Sequence, residues 1–186
     1  ESIKTFFKFI EDGELFITED EYFDLYKLSE IFKVNPLKKC LQNYTRENSS
    51  NINFLIELIL NQQSTKSEFF SSDLISIDAE ELLKDQIDKC LSNKKFGKLP
   101  ISTIYRILEK SKENLKSSDL LYDFIIESIE ERCSLFQFIQ FNSISDEKFI
   151  EIFEYYQQNK NSINYFHFLP VDLKYIKTLK DEKQSL

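Results

Sequence analysis

The chain has 186 residues, with 24 Lys+Arg against 32 Asp+Glu and a net charge of −8. Two glycines, one histidine and three cysteines exclude a glycine-rich phosphate loop, a zinc finger and a histidine-rich catalytic metal site. The acidic balance argues against a protein that coats nucleic acid through its phosphates.

Eighteen Phe and nine Tyr, with no Trp or Met, make aromatics the large core fillers. Two Gly and three Pro leave few places to break a helix, so a mostly all-α fold is expected. No stretch approaches the roughly 20 apolar residues that span a bilayer, and no basic-then-apolar signal segment is present. Cys40, Cys90 and Cys133 are odd in number and far apart, which suits a reduced setting; a cytoplasmic or cytoskeletal location is expected. A chain without Met is either processed or excised from something longer. The second is expected, because Ile3 to Ile10 read as the middle of an apolar element.

Taken in order, "IKTFFKFIEDGEL" predicts an apolar helix end closed by Gly13 in a left-handed conformation. "ELFI" predicts a short strand, Leu15 and Ile17 alternating with Glu14 and Phe16. Thr18 to Glu21 form a capping box that opens a helix carrying Phe23, Leu25, Tyr26, Leu28, Ile31 and Phe32. Asn35 and Pro36 predict the N-cap and first position of the next helix, with Leu37, Cys40, Leu41 and Tyr44. After the polar "TRENSSN", residues 51–61 predict an apolar helix, and "NQQSTKSEFFSSD" a loop or linker. Further helices are predicted at about 78–93, from Pro100 with Ile101, Ile104, Tyr105 and Leu108, and at about 118–133. The apolar piece "SLFQFIQF" follows. Two more helices are predicted, one capped by Ser145 and carrying Phe149, Ile152, Phe153 and Tyr156, and one starting at Pro170. Elements this short are marginal alone, so successive antiparallel pairs are expected. Leu28, Leu108 and Phe153 are expected in the core.

No constellation of residues points to catalysis. His167 lies among aromatics in "NYFHFLP" and reads as a packed residue. The competing reading, a Cys133–His167 nucleophile pair, lacks a third orienting group and an oxyanion hole. Acidic clusters such as Glu19-Asp20-Glu21, Glu80-Glu81 and Glu130-Glu131 sit at helix starts or on polar faces, where they complement the dipole or face water. Lys94 to Lys98 is the compact basic cluster beside a helix turn. No catalytic residue, metal ligand or cofactor is expected, and an enzyme of unrecognised class stays open only as a second alternative. The Phe-rich stripes read as core or as the lining of a groove for a partner helix.

The order of elements resembles a known domain pair. Residues 1–45, "FFKFIEDGELFITEDEYFDLYKLSEIFKVNPLKKCLQNY" within them, look like the second half of a BTB (POZ) domain. Leu25, Leu28, Ser29, Phe32, Val34 and Leu37 occupy the family's run joining its last two helices. Residues 51–157 look like a BACK domain, best at Phe96-Gly97-Lys98-Leu99-Pro100 with Ile104, Ile107 and Leu108, and on through Leu115, Ser118, Leu121, Tyr122 and Ile125. The front half of BTB and the Trp usual in the second BACK helix are absent. The resemblance divides the chain into a partial BTB-like α/β portion at 1–45, a BACK-like helical domain at 46–160 and a helical extension at 161–186. It implies a non-enzymatic protein–protein interaction scaffold within a larger assembly, such as the cytoskeleton, with oligomers allowed. The alternative it implies is a substrate adaptor of a cullin–RING ubiquitin ligase. The cullin-facing groove would then lie near the helix at 51–61, with Phe54, Leu55 and Leu58 meeting the partner. Neither nucleic acid nor membrane is expected as a partner.

Overall fold

The computed structural model describes residues 1–64, 79–140 and 143–159, of which 62–64, 153 and 156–159 are described in backbone only. The chain divides into two compact units, Glu1–Leu115 and Lys116–Leu186. The boundaries expected at 45/46 and 160/161 rest on the resemblance alone; the division into compact units falls at 115/116. The proposed extension at 161–186, the Pro170 helix and His167 lie outside the described residues.

In the first unit, α1 (Ser2–Asp12) buries Phe6 and Phe9 and stops at Gly13, whose φ of 72° lies in the left-handed region. The Gly13 N–H donates to the Phe9 carbonyl at 2.9 Å. Only a residue without Cβ adopts this geometry at little cost. Then α2 (Glu19–Ile31) begins at Thr18, whose hydroxyl accepts from the Glu21 N–H at 3.4 Å. Glu21 answers with its carboxylate, accepting from the Thr18 hydroxyl at 3.1 Å and from Thr5 of α1 at 2.8 Å. One side chain thus closes the cap and ties two helices together.

The strand expected at "ELFI" does not form: no strand occurs among the described residues. The alternation itself is present, with Leu15 and Ile17 half-buried and Phe16 exposed. A strand also needs a neighbour to complete its hydrogen-bond ladder, and none is beside it.

At its far end α2 closes on Lys33, at φ 53°. The Val34 N–H reaches back to Ser29 and the Lys33 N–H to Glu30, a Schellman motif with a lysine at the left-handed position. Helix α3 (Asn35–Glu47) starts one residue earlier than its sequence signals suggest: Val34 is the N-cap, and Asn35 and Pro36 lie in the first turn. Lys38 and Glu30 form a buried ion pair at 2.8 Å between α2 and α3.

Helix α4 (Ile52–Ser64) is capped by Asn51, whose side chain accepts from the Phe54 N–H at 3.2 Å and donates to Glu19 at 2.6 Å. The single helix expected over 78–93 is two, α5 (Ala79–Lys84) and α6 (Ile87–Leu91), separated by Asp85 and Gln86. Partners distant in sequence hold the break. Asn114 donates to the Asp85 carboxylate at 2.9 Å and to the Lys84 carbonyl at 3.4 Å, and Gln86 donates to the Ser49 carbonyl at 3.0 Å. The bond to Lys84 satisfies a carbonyl that a continuous helix would have paired, and the other two anchor the side chains of the break itself. A 3-10 turn at Phe96–Lys98 leads to α7 (Ile101–Lys110), with Pro100 as N-cap and Ile104, Ile107 and Leu108 buried.

In the second unit the helix expected over 118–133 is also broken, into α8 (Ser118–Ile126) and α9 (Ile129–Arg132), followed by a 3-10 stretch at Cys133–Phe138. Arg132 explains the break. It is buried, donates to the Phe124 carbonyl at 2.6 Å and stacks 3.9 Å from the Phe124 ring centroid. A cation at the end of α8 satisfies a terminal carbonyl and favours the negative pole of the helix. Ser118 bridges to the Gln140 backbone in both directions, at 3.0 and 3.1 Å. Last, α10 (Asp146–Asn159) is fastened to α8 by Tyr122, which donates to Glu151 at 3.0 Å, and by Lys148 on Asp123.

Candidate interaction face

Helix α1 carries apolar side chains on two faces. Phe6 and Phe9 point into the first unit, and Phe6 meets Phe32, the C-cap of α2, with ring centroids 5.3 Å apart. Ile3, Phe7 and Ile10 recur at spacings of four and three, so they share a stripe that adjoins the buried one, about 100° round the helix from it. They are 61%, 56% and 53% exposed. Phe32, at 58%, and Ile31, at 66%, extend exposed apolar surface onto the end of α2. Phe6 links the stripe to Phe32, because its ring also lies 5.7 Å from that of Phe7. Isolated exposed apolar residues need no explanation; several on one helix stripe mark an interaction surface.

Along the flank of this stripe runs an open cleft of about 630 Å³, lined among others by Lys4, Thr5, Lys8, Phe16 and Glu21. Phe16 is 80% exposed, the most exposed large apolar side chain of those described. Two lysines, acids and hydroxyls around one aromatic suit a peptide segment better than a small apolar ligand, which prefers an enclosed apolar pocket.

The residues that sequence reasoning assigned to partner binding lie elsewhere. Phe54, Leu55 and Leu58 are buried, as are Ile56 and Ile59 of the same helix. Phe54 stands edge-on to Tyr22 at 5.1 Å and to Tyr44 at 5.7 Å. The groove expected there is corrected: these three side chains fill the interior of the first unit. The cause is local, since a helix apolar on nearly all sides is an interior helix.

The other candidates are dispersed. Cys133 is half-buried, and Cys90 is fully buried with its thiol pushed up to about 12 by burial. A thiol so raised is a poor nucleophile near neutral pH. In the basic cluster Phe96 is buried and Lys95 pairs with Glu57 at 2.9 Å. In the acidic clusters Glu80 takes a two-pronged contact from Arg106, at 2.5 and 3.2 Å, beside Lys110 at 3.6 Å. Among the described residues no three His, Cys, Asp or Glu gather to hold a metal ion, and no helix is long and apolar enough to cross a membrane. No protein-family model, curated protein or solved structure matches the chain.

Proposed function

We propose that the chain is a non-enzymatic protein–protein interaction scaffold of BTB/BACK type, acting as a subunit of a larger assembly. The observation that carries this reading is the outward stripe of Ile3, Phe7 and Ile10. It places three large apolar side chains in water beside the part of the same helix that already fills a core, a cost that docking would relieve. The order of helices and the residues resembling BTB and BACK supply the type. The apolar anchors, the neighbouring cleft and the exposed Phe16 together suit a protein partner that presents a helix or extended segment.

The test is affinity purification of the full-length protein from its own cells in mild salt, for wild type and Phe7→Asp, with mass spectrometry of what co-purifies. Filament or other large-assembly components recovered with wild type and lost with Phe7→Asp support the scaffold. A cullin with its RING partner, lost in the same way, converts the reading to that of a ligase adaptor. A partner set that Phe7→Asp leaves unchanged overturns the assignment of the α1 face.

A further inference from the structure

We infer that Thr18 is a phosphorylation site for a protein kinase that selects acidic residues after its acceptor, and that the phosphate loosens α1 from α2. This holds whatever occupies the α1 face. Thr18, Ser50, Ser92, Ser102 and Ser143 are the exposed Ser and Thr side chains among the described residues. Asn51, Ile52 and Asn53 follow Ser50; Asn93 and two lysines follow Ser92; Ser102 lies inside α7. Ser143 has one acid within three residues, Asp146. Thr18 alone of these is followed directly by an unbroken acidic run, Glu19, Asp20 and Glu21. Kinases discriminate among hydroxyls by such charge patterns, and a basic substrate groove is complementary to this one.

The backbone gives a kinase access. Residues 13–18 form neither helix nor strand, and Thr18 itself is extended, at φ −104° and ψ 157°. The acceptor therefore meets the enzyme as extended chain. The acids after it occupy the first turn of α2, the part of a helix that opens at least cost. Phe16, two residues before the acceptor, is 80% exposed, so no packed side chain holds the segment down at that point.

In the transfer the Thr18 oxygen bonds to the γ-phosphorus of a nucleoside triphosphate. The bond from that phosphorus to the oxygen bridging it to the β-phosphate breaks, nucleoside diphosphate leaves, and the hydroxyl proton passes to the kinase's catalytic carboxylate. The product has no proton left on the Thr18 oxygen and carries a charge of about −1.5 to −2.

That change strikes the tie between the first two helices. The Thr18 hydroxyl donates to one oxygen of the Glu21 carboxylate at 3.1 Å, and Thr5 of α1 donates to the other at 2.8 Å. Phosphorylation removes the first donor and sets an anion against the same carboxylate, which is driven away and leaves Thr5 without it. Glu1, Glu14 and Asp20 line the same cleft and add to the repulsion; Lys4 and Lys8 line it from α1 and oppose it. Glu21 decides the sign, because it is in direct contact while both lysines are exposed to screening solvent. The bond from Ser2 to Asp24 at 3.1 Å and the burial of Phe6 and Phe9 persist, so α1 loosens and stays docked.

The test treats the full chain with an acid-directed protein kinase, ATP and Mg²⁺, locates phosphate by mass spectrometry, and then follows amide hydrogen exchange. Phosphate is expected on Thr18 in wild type and on the serine of Thr18→Ser. None is expected at this position in Thr18→Asn, which keeps a helix cap and so stays folded. Glu19→Gln, Asp20→Asn and Glu21→Gln combined are expected to slow the modification about tenfold. After phosphorylation the α1 amides are expected to exchange about five- to tenfold faster, and faster still with Lys4→Gln and Lys8→Gln combined. No phosphate on Thr18, a preference for Ser143 over it, or a rate that ignores the loss of the three acids overturns the site. Phosphate on Thr18 with α1 exchange unchanged overturns the loosening.

Discussion

Tyr22 Oη lies 2.8 Å from Thr45 Oγ1 in the interior shared by α2 and α3, and Thr45 donates in turn to the Leu41 carbonyl at 3.0 Å. Thr45 has one proton and gives it to Leu41, so the tyrosine hydroxyl is the donor of the pair. The two partners are consequently unequal. Thr45→Val strands a buried phenol donor and is expected to cost about 2 kcal/mol; Tyr22→Phe removes a donor from a threonine that keeps its bond to Leu41 and is expected to cost about 1 kcal/mol. Urea unfolding of both variants checks the order. The double variant is expected to be less destabilised than the sum of the two.

The left-handed residue at the end of α2 gives a prediction of opposite sign. Lys33 holds φ at 53° and is exposed, so its side chain is not part of the core. Lys33→Gly relieves the Cβ strain and is expected to stabilise the protein by about 1 kcal/mol, read as a higher urea midpoint with an unchanged slope. At Gly13, φ 72°, the reverse change to Ala is expected to destabilise by about the same amount.

Burial raises the Cys90 thiol from 9.0 to about 12. Its folded value exceeds its unfolded one, so the unfolded chain releases the proton first as pH rises. Stability is then complete below pH 9 and falls between pH 9 and 12, with a slope of up to about 1.4 kcal/mol per pH unit. Burial also raises the Tyr22 phenol, and that loss begins only above pH 10. The decline between pH 9 and 10 should therefore vanish in Cys90→Ala. At pH 8, a thiol reagent is expected to modify Cys40 and Cys133, which are half-buried, and to reach Cys90 only in urea.

Core substitutions separate two leucines of similar sequence character. Leu108 is 2% exposed and Leu108→Ala is expected to cost about 2–5 kcal/mol in urea unfolding. Leu28 is only half-buried, and Leu28→Ala should cost clearly less. The side chain of Phe153 lies outside those described.

The sequence was legible where a local rule decides the outcome. Gly13 closes α1, Thr18 opens α2 and the apolar run beginning at Ile52 is helical, because each depends on its own few neighbours. It was illegible where a remote group decides. Asp85 and Gln86 look like helix interior until Asn114 and Ser49 supply partners for a break. Nothing local at Glu127 announces that Arg132 turns back onto the Phe124 carbonyl. "ELFI" carries the alternation of a strand and lacks a neighbour to pair with. The site was misplaced for a related reason. The apolar arc of α1 is broad, and pattern alone does not say which part of it is covered: Phe6 and Phe9 are buried, while Ile3, Phe7 and Ile10 beside them are exposed. Helix α4, apolar nearly all round, was a signal of the interior that reading Phe54, Leu55 and Leu58 as a groove overlooked.

Helices of the first unit pack chiefly on their near neighbours: α1 on α2, α2 on α3, α4 on α5, α5 on α6, and α5 on α7. In the second unit α8 packs on α9 and on the 3-10 stretch that follows it. Most of these contacts close short loops, α4 on α5 being the exception, so little chain entropy is lost before each contact begins to stabilise the next. Refolding is therefore fast, and dilution from urea is expected to return native fluorescence within milliseconds. A variant that lengthens the Lys33–Val34 turn would slow that return more than an equal insertion in a segment joining no packed pair.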